Sequence, residues 1–91
     1  MHDVRVSPGI AWAVRSAGIL LLNTATGAAV ELAYPDAAVW DMMSRGESPD
    51  RIAAQLGPIA QLDRAAARQL VEDRVQAWIV AGLVTTGAIG G

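Results

Sequence analysis

The sequence has no cysteine, which excludes a disulfide framework, a thiolate metal site and a cysteine nucleophile. Lysine is absent too: all seven basic residues are arginines, dispersed from Arg5 to Arg74, and nine carboxylates bring the net charge to -2. Nucleic-acid affinity rests on clustered cations that neutralise phosphates, and this chain has no such cluster. Histidine occurs once, as His2, far in sequence from any base or orienting partner, so nucleophilic or acid–base catalysis has no constellation to build on. A metal site would have to use carboxylates alone. Asp36 with Asp41, and Glu72 with Asp73, sit in no loop of calcium-binding type and read as solvated helix faces. The glycines Gly9, Gly18, Gly27 and Gly46 are scattered through turns and form no phosphate-cradling motif. No apolar run approaches the roughly 20 residues that span a bilayer. The start Met-His-Asp-Val-Arg-Val has no basic region followed by an apolar stretch, which leads us to expect a cytoplasmic protein. These absences predict a non-enzyme without metal or cofactor, bound neither to nucleic acid nor to a membrane.

What remains is a small chain with a clear order of elements. Its 91 residues allow one domain with one modest core, expected over about residues 6–84 with flexible termini. Three short extended segments come first. Ile10–Arg15 is followed by the turn Ser16-Ala17-Gly18, Ile19–Asn23 is apolar on both faces, and Asn23-Thr24-Ala25-Thr26-Gly27 is a second turn cluster. Ala28–Ala33 then alternates, with Val30 and Leu32 expected on the core face and Ala29, Glu31 and Ala33 on the other. Such a sheet has edges that a peptide can extend.

Three helices are predicted after it. Pro35 and Asp36 suit the first turn of one that ends near Ser44, with Val39 and Met43 as its buried stripe and Trp40 and Met42 at the flanks. Ser48 caps a short second helix with Pro49 at its first position, and Gly57-Pro58 is expected to stop it. Asp63 caps the third, which should reach Ala81 and end at a left-handed Gly82, with Leu83 packing back on Trp78. On the third helix Val71, Val75, Trp78 and Ile79 form the core stripe. Leu70, Ala77 and Ala81, with Arg74 among them, widen the apolar surface beyond what one sheet contact needs. That extra side is either covered by the first helix or is the wall of a groove. Trp12, Trp40 and Trp78 lie on three different elements and read as core anchors rather than a base-stacking platform.

Several segments together resemble the PqqD-like family, the recognition elements of ribosomally made, post-translationally modified peptides. They are Val6-Ser7-Pro8-Gly9 entering the first strand, Gly18 to Gly27 as strand and turn, Ala37-Ala38-Val39-Trp40 in the first helix, and Val75 to Ile79 leading to Gly82-Leu83-Val84. The resemblance spans about Val6 to Val84. Where many members have a Leu-Asn pair before the first helix, this chain has Leu32-Ala33-Tyr34-Pro35, so the helix start is made differently. The resemblance implies a winged-helix-like α+β fold, a three-stranded antiparallel sheet followed by three helices. It also implies non-catalytic capture of a precursor's leader segment, which adds a strand beside the third strand and packs side chains against the third helix. The implied site is Ala29, Val30, Glu31, Leu32 and Ala33 on the strand, with Leu70, Arg74, Ala77 and Trp78 on the helix; Arg74 is suited to an acidic leader residue. The implied partners are the leader peptide and a separate peptide-modifying enzyme or leader protease. Two rival readings remain: a winged-helix DNA-binding transcription regulator, and an oligomerisation module, such as a homodimer, whose edge strand or groove pairs with itself.

Overall fold

The computed structural model describes residues 3–87. Its elements are β1 (Asp3–Val6), β2 (Ile10–Arg15), β3 (Gly18–Asn23), β4 (Ala29–Ala33), α1 (Asp36–Ser44), α2 (Pro49–Ala60), α3 (Arg64–Val80) and β5 (Val84–Gly87). Strands β2, β3 and β4 form an antiparallel sheet in that order, and β1 pairs with β5 in a separate two-stranded ribbon. The α+β, winged-helix-like architecture expected from the sequence is therefore present, with each predicted strand within a residue of its observed bounds.

Turn chemistry sets the sheet. Asn23 Oδ1 accepts hydrogen bonds from the backbone N–H groups of Ala25 and Thr26, and Gly27 takes a left-handed φ of 79°, so the chain reverses between β3 and β4. At the other turn Gly18 is fixed by close approach rather than by the loop: a Cβ there would collide with the Leu32 carbonyl oxygen on β4.

α2 and α3 start with their predicted signals. Ser48 Oγ accepts from Arg51 N–H, and Asp63 Oδ1 accepts from Ala66 N–H at 2.7 Å. Pro35 stands at the N-cap position of α1 without a side-chain cap. The end of α3 is also as read: Ala81 closes the helix, Gly82 adopts φ 78°, Gly82 N–H reaches Ile79 O, and Leu83 N–H reaches Trp78 O at 2.8 Å.

Three expectations are corrected. Gly57-Pro58 does not stop α2, which continues to Ala60 and ends at left-handed Gln61, where Leu62 N–H bonds to Gly57 O. Pro58 lies in the last turn, where the N–H it lacks would have served the carbonyl of exposed Ala54, a group that water can satisfy. Val30 is not a core residue. It shares the inner face with Leu32 but remains 44% exposed, whereas Leu32 is buried. The ordered fold also exceeds residues 6–84, because 3–5 and 85–87 pair across the β1–β5 ribbon. Four-residue strands lying at opposite ends of the chain leave too little alternation to read. Of the C-terminal end expected to be flexible, Gly87 pairs with Asp3; residues 88–91, and His2, lie outside the described residues.

The core joins Ile19, Leu21 and Leu32 of the sheet to Val39, Trp40 and Met43 of α1, Ile52 and Leu56 of α2, and Ala67, Val71, Val75 and Trp78 of α3. Burial of each large side chain contributes about 1.5–3 kcal/mol. α1 sits at the centre: it packs on β4 and touches α3, so it sets the spacing between the open side of the sheet and the last helix.

Candidate functional site

Hydrogen-bond parity decides what the outer edge of β4 offers. Asn23 N–H donates to Ala28 O, and the register continues with Leu21 opposite Val30 and Ile19 opposite Leu32. Antiparallel pairs alternate between bonded and non-bonded, so Ala28, Val30 and Leu32 turn their N–H and C=O groups towards β3. Ala29, Glu31 and Ala33 turn theirs outward. Among the described residues no strand pairs with that edge. The side chains follow the opposite alternation: Val30 and Leu32 face the helical layer, and Ala29, Glu31 and Ala33 face solvent.

The helix side of the expected site is mixed. Leu70 is half-buried and packs against the core, and Ala77 is exposed. Trp78 is buried, so it backs the wall rather than forming its surface. Arg74 is partly exposed and already has a carboxylate partner: its Nε donates to Asp36 Oδ1 at 2.7 Å. Asp36 opens α1 three residues after β4 ends, so this ion pair ties α3 to the exit of the edge strand. No local pattern marks that pairing, since the two residues are 38 positions apart.

The tryptophans converge, although they come from three elements. Trp40 is packed edge-to-face against Trp12 of β2 at 5.9 Å and against Trp78 of α3 at 5.3 Å. Trp40 and Trp78 are core anchors as expected, but Trp12 is 41% exposed. The indole N–H of Trp40 is buried and has no acceptor among the described residues. This row holds β2, α1 and α3 in fixed relation, with each edge-to-face pair contributing about 0.5–1.5 kcal/mol beyond area burial.

The remaining polar groups are mostly engaged along the helices. Arg68 pairs with both Glu72 and Asp50, Gln69 donates to Asp73, Arg51 pairs with Glu47, and Arg45 pairs with Asp41. Among the described residues no cluster of three or more histidines or carboxylates is placed to hold a metal, and no helix is long and apolar enough to cross a membrane.

Fold and edge together define a small winged-helix-like α+β domain with an open strand on its sheet. No family model and no curated protein matches the chain. Two solved structures share its fold. A lasso peptide synthetase B1 complexed with the leader peptide is 23% identical, with a TM-score of 0.84 over 91% of this chain and 98% of that one. TbiB1 in complex with the TbiA(beta) leader peptide is 20% identical, with a TM-score of 0.84 over 93% of this chain and 98% of that one.

Proposed function

We propose that the chain captures an extended leader segment of a ribosomally made precursor peptide at the outer edge of β4 and presents it to a separate modifying enzyme or leader protease, doing no bond chemistry itself. The observation that carries this reading is the outward row of N–H and C=O groups on Ala29, Glu31 and Ala33, in a fold shared with two proteins solved with leader peptides. A guest strand bonded to that row adds a fourth strand to the sheet and removes the unpaired edge.

Energetics require more than the edge. Each new backbone hydrogen bond contributes about 0.5–1.5 kcal/mol net, and ordering a disordered guest costs roughly 2–5 kcal/mol or more. Strand pairing alone therefore binds weakly. A micromolar complex needs about -8 kcal/mol, which apolar guest side chains supply by burial at about 1.5–3 kcal/mol each. Half-exposed Val30 and the α3 positions Leu70, Arg74 and Ala77 are the surfaces assigned to them, with Leu32 and Trp78 supporting from the core. Arg74 already has a carboxylate partner in Asp36, so an acidic guest residue would share it rather than meet a bare cation.

The DNA-binding alternative is not favoured. The exposed side of α3 carries Glu72 and Asp73, and Arg68 is held by carboxylates, which opposes a phosphate backbone.

The test is a titration with the leader of a precursor encoded beside this gene, followed by amide exchange residue by residue. The amides of Ala29, Glu31 and Ala33 should slow by about tenfold or more on saturation, while those of Val30 and Leu32, already bonded to β3, should change little. Binding that leaves all three outward amides exchanging as before overturns the reading.

A further inference from the structure

Among the described residues the sheet has a second open edge, on β2, and its chemistry differs from that of β4. Thr24 N–H donates to Gly9 O, which fixes the parity: Ala11, Ala13 and Arg15 turn their backbone groups to β3, and Ile10, Trp12 and Val14 turn theirs outward. The Ile10 N–H is taken by Ser7 O at 3.3 Å, leaving the Ile10 carbonyl and both groups of Trp12 and Val14. Natural edges are guarded by charge, proline or a bulge. Ile10-Ala11-Trp12-Ala13-Val14 has none of these, and it exposes Trp12 and, at 75%, Val14.

The same five residues read alike in both directions about Trp12: branched, alanine, tryptophan, alanine, branched. We propose that β2 pairs antiparallel with β2 of a second copy of this chain, on a two-fold axis through Trp12. In that register Trp12 faces its own counterpart, Val14 faces Ile10, and Ala11 faces Ala13. Every outward group meets an outward group except the Val14 carbonyl, which faces an Ile10 N–H already held by Ser7 O. The two Trp12 residues exchange both backbone bonds, and each Val14 N–H reaches an Ile10 carbonyl. Arg15 falls opposite Gly9, so the two arginines stand at opposite ends of the joint.

Charge distinguishes the two edges. The equivalent pairing of β4 with itself, centred on its middle outward residue, would set Glu31 directly against Glu31, and like charges in that position are destabilising. β2 therefore suits a second copy, and β4 does not. The joint leaves both β4 edges free at the far sides of a six-stranded sheet, so it stands independently of what β4 binds.

The test is sedimentation of the whole chain over a concentration series reaching the millimolar range, with Val14→Pro as the variant. That proline removes an outward N–H and leaves the bonds to β3 intact, so its far-UV circular dichroism should match the parent while the dimer dissociation constant rises about tenfold or more. A second measurement does not depend on tolerating proline. Ala11→Cys and Ala13→Cys proteins, mixed and oxidised, should form a mixed disulfide far faster than either alone, because the proposed register places these two positions opposite one another in a non-bonded pair. A chain that stays monomeric at every concentration overturns the proposal, as does a mixture that cross-links no faster than its components. Leader-peptide affinity, measured on the same samples, reports separately on β4.

Discussion

Arg74 Nε donates to Asp36 Oδ1 at 2.7 Å, joining the middle of α3 to the first turn of α1 at the point where β4 leaves the sheet. Both side chains are only partly covered, so water screens the pair and its net contribution is about 0.5 kcal/mol. Asp36 also lies at the positive end of α1, which adds about 0.5 kcal/mol. Asp36→Ala should therefore lower unfolding free energy by about 1 kcal/mol in urea titrations. Arg74→Ala should lose only the first part. If the two variants lose the same amount, the helix-end contribution assigned to Asp36 is wrong.

Parity along β4 gives a sharper test than deletion of any side chain. Val30 bonds through its backbone to β3, and Glu31 points its backbone outward. Val30→Pro removes a ladder bond and should cost about 3 kcal/mol or more of stability. Glu31→Pro should leave the melting temperature within a few degrees, while leader affinity falls about tenfold or more, the loss of one edge bond plus the clash of the ring with the guest strand. Equal damage to folding from both prolines would mean that the register is wrong.

How much of this was legible in the sequence varies with the range of the interaction involved. Ser48, Asp63 and Gly82 mark helix ends through contacts within four residues, and each one behaves as its chemistry dictates. The three strands of the main sheet were readable because Ser16-Ala17-Gly18 and Asn23 to Gly27 are local reversals. The β1–β5 ribbon depends on partners at opposite ends of the chain, and the convergence of Trp12, Trp40 and Trp78 depends on the packing of three elements. Neither leaves a local pattern. Val30 departs from its expected burial for a related reason. Alternation correctly assigns its face, but whether a face is covered depends on how far α1 extends across an edge strand. Around the candidate site the strand and the alternation of its faces were legible because they are local, and the Arg74–Asp36 pair, 38 positions apart, was not.

Gly18 shows how the edge depends on a residue far from it in function. A Cβ at this position meets the Leu32 carbonyl carbon and oxygen, both backbone atoms that no rotamer change can move. Gly18→Ala should therefore push β4 away from β3, at a cost of more than about 1 kcal/mol in stability. Leader binding should weaken in parallel, since the edge would be displaced. A variant with unchanged melting temperature and unchanged amide protection at Leu32 would show that the strands are not so closely apposed.

Ala77 separates the helix wall from the core. It is exposed on α3, one turn before Ala81 and beside Trp78, whose ring is buried against Trp40. A glutamate there meets no core atom, and alanine and glutamate differ by only a few tenths of a kcal/mol in helix propensity, so Ala77→Glu should leave stability within about 0.5 kcal/mol of the parent. Its effect on the proposed guest is different in kind. A carboxylate placed where an apolar side chain is to be buried must be desolvated or must exclude that side chain, which costs about 1–3 kcal/mol and weakens leader binding roughly tenfold or more. Glu31→Pro acts on the strand and Ala77→Glu on the helix, so the double variant resolves whether the guest spans both. Additive losses place it across the two walls. A double variant no weaker than Glu31→Pro alone would confine binding to the sheet edge and remove α3 from the site.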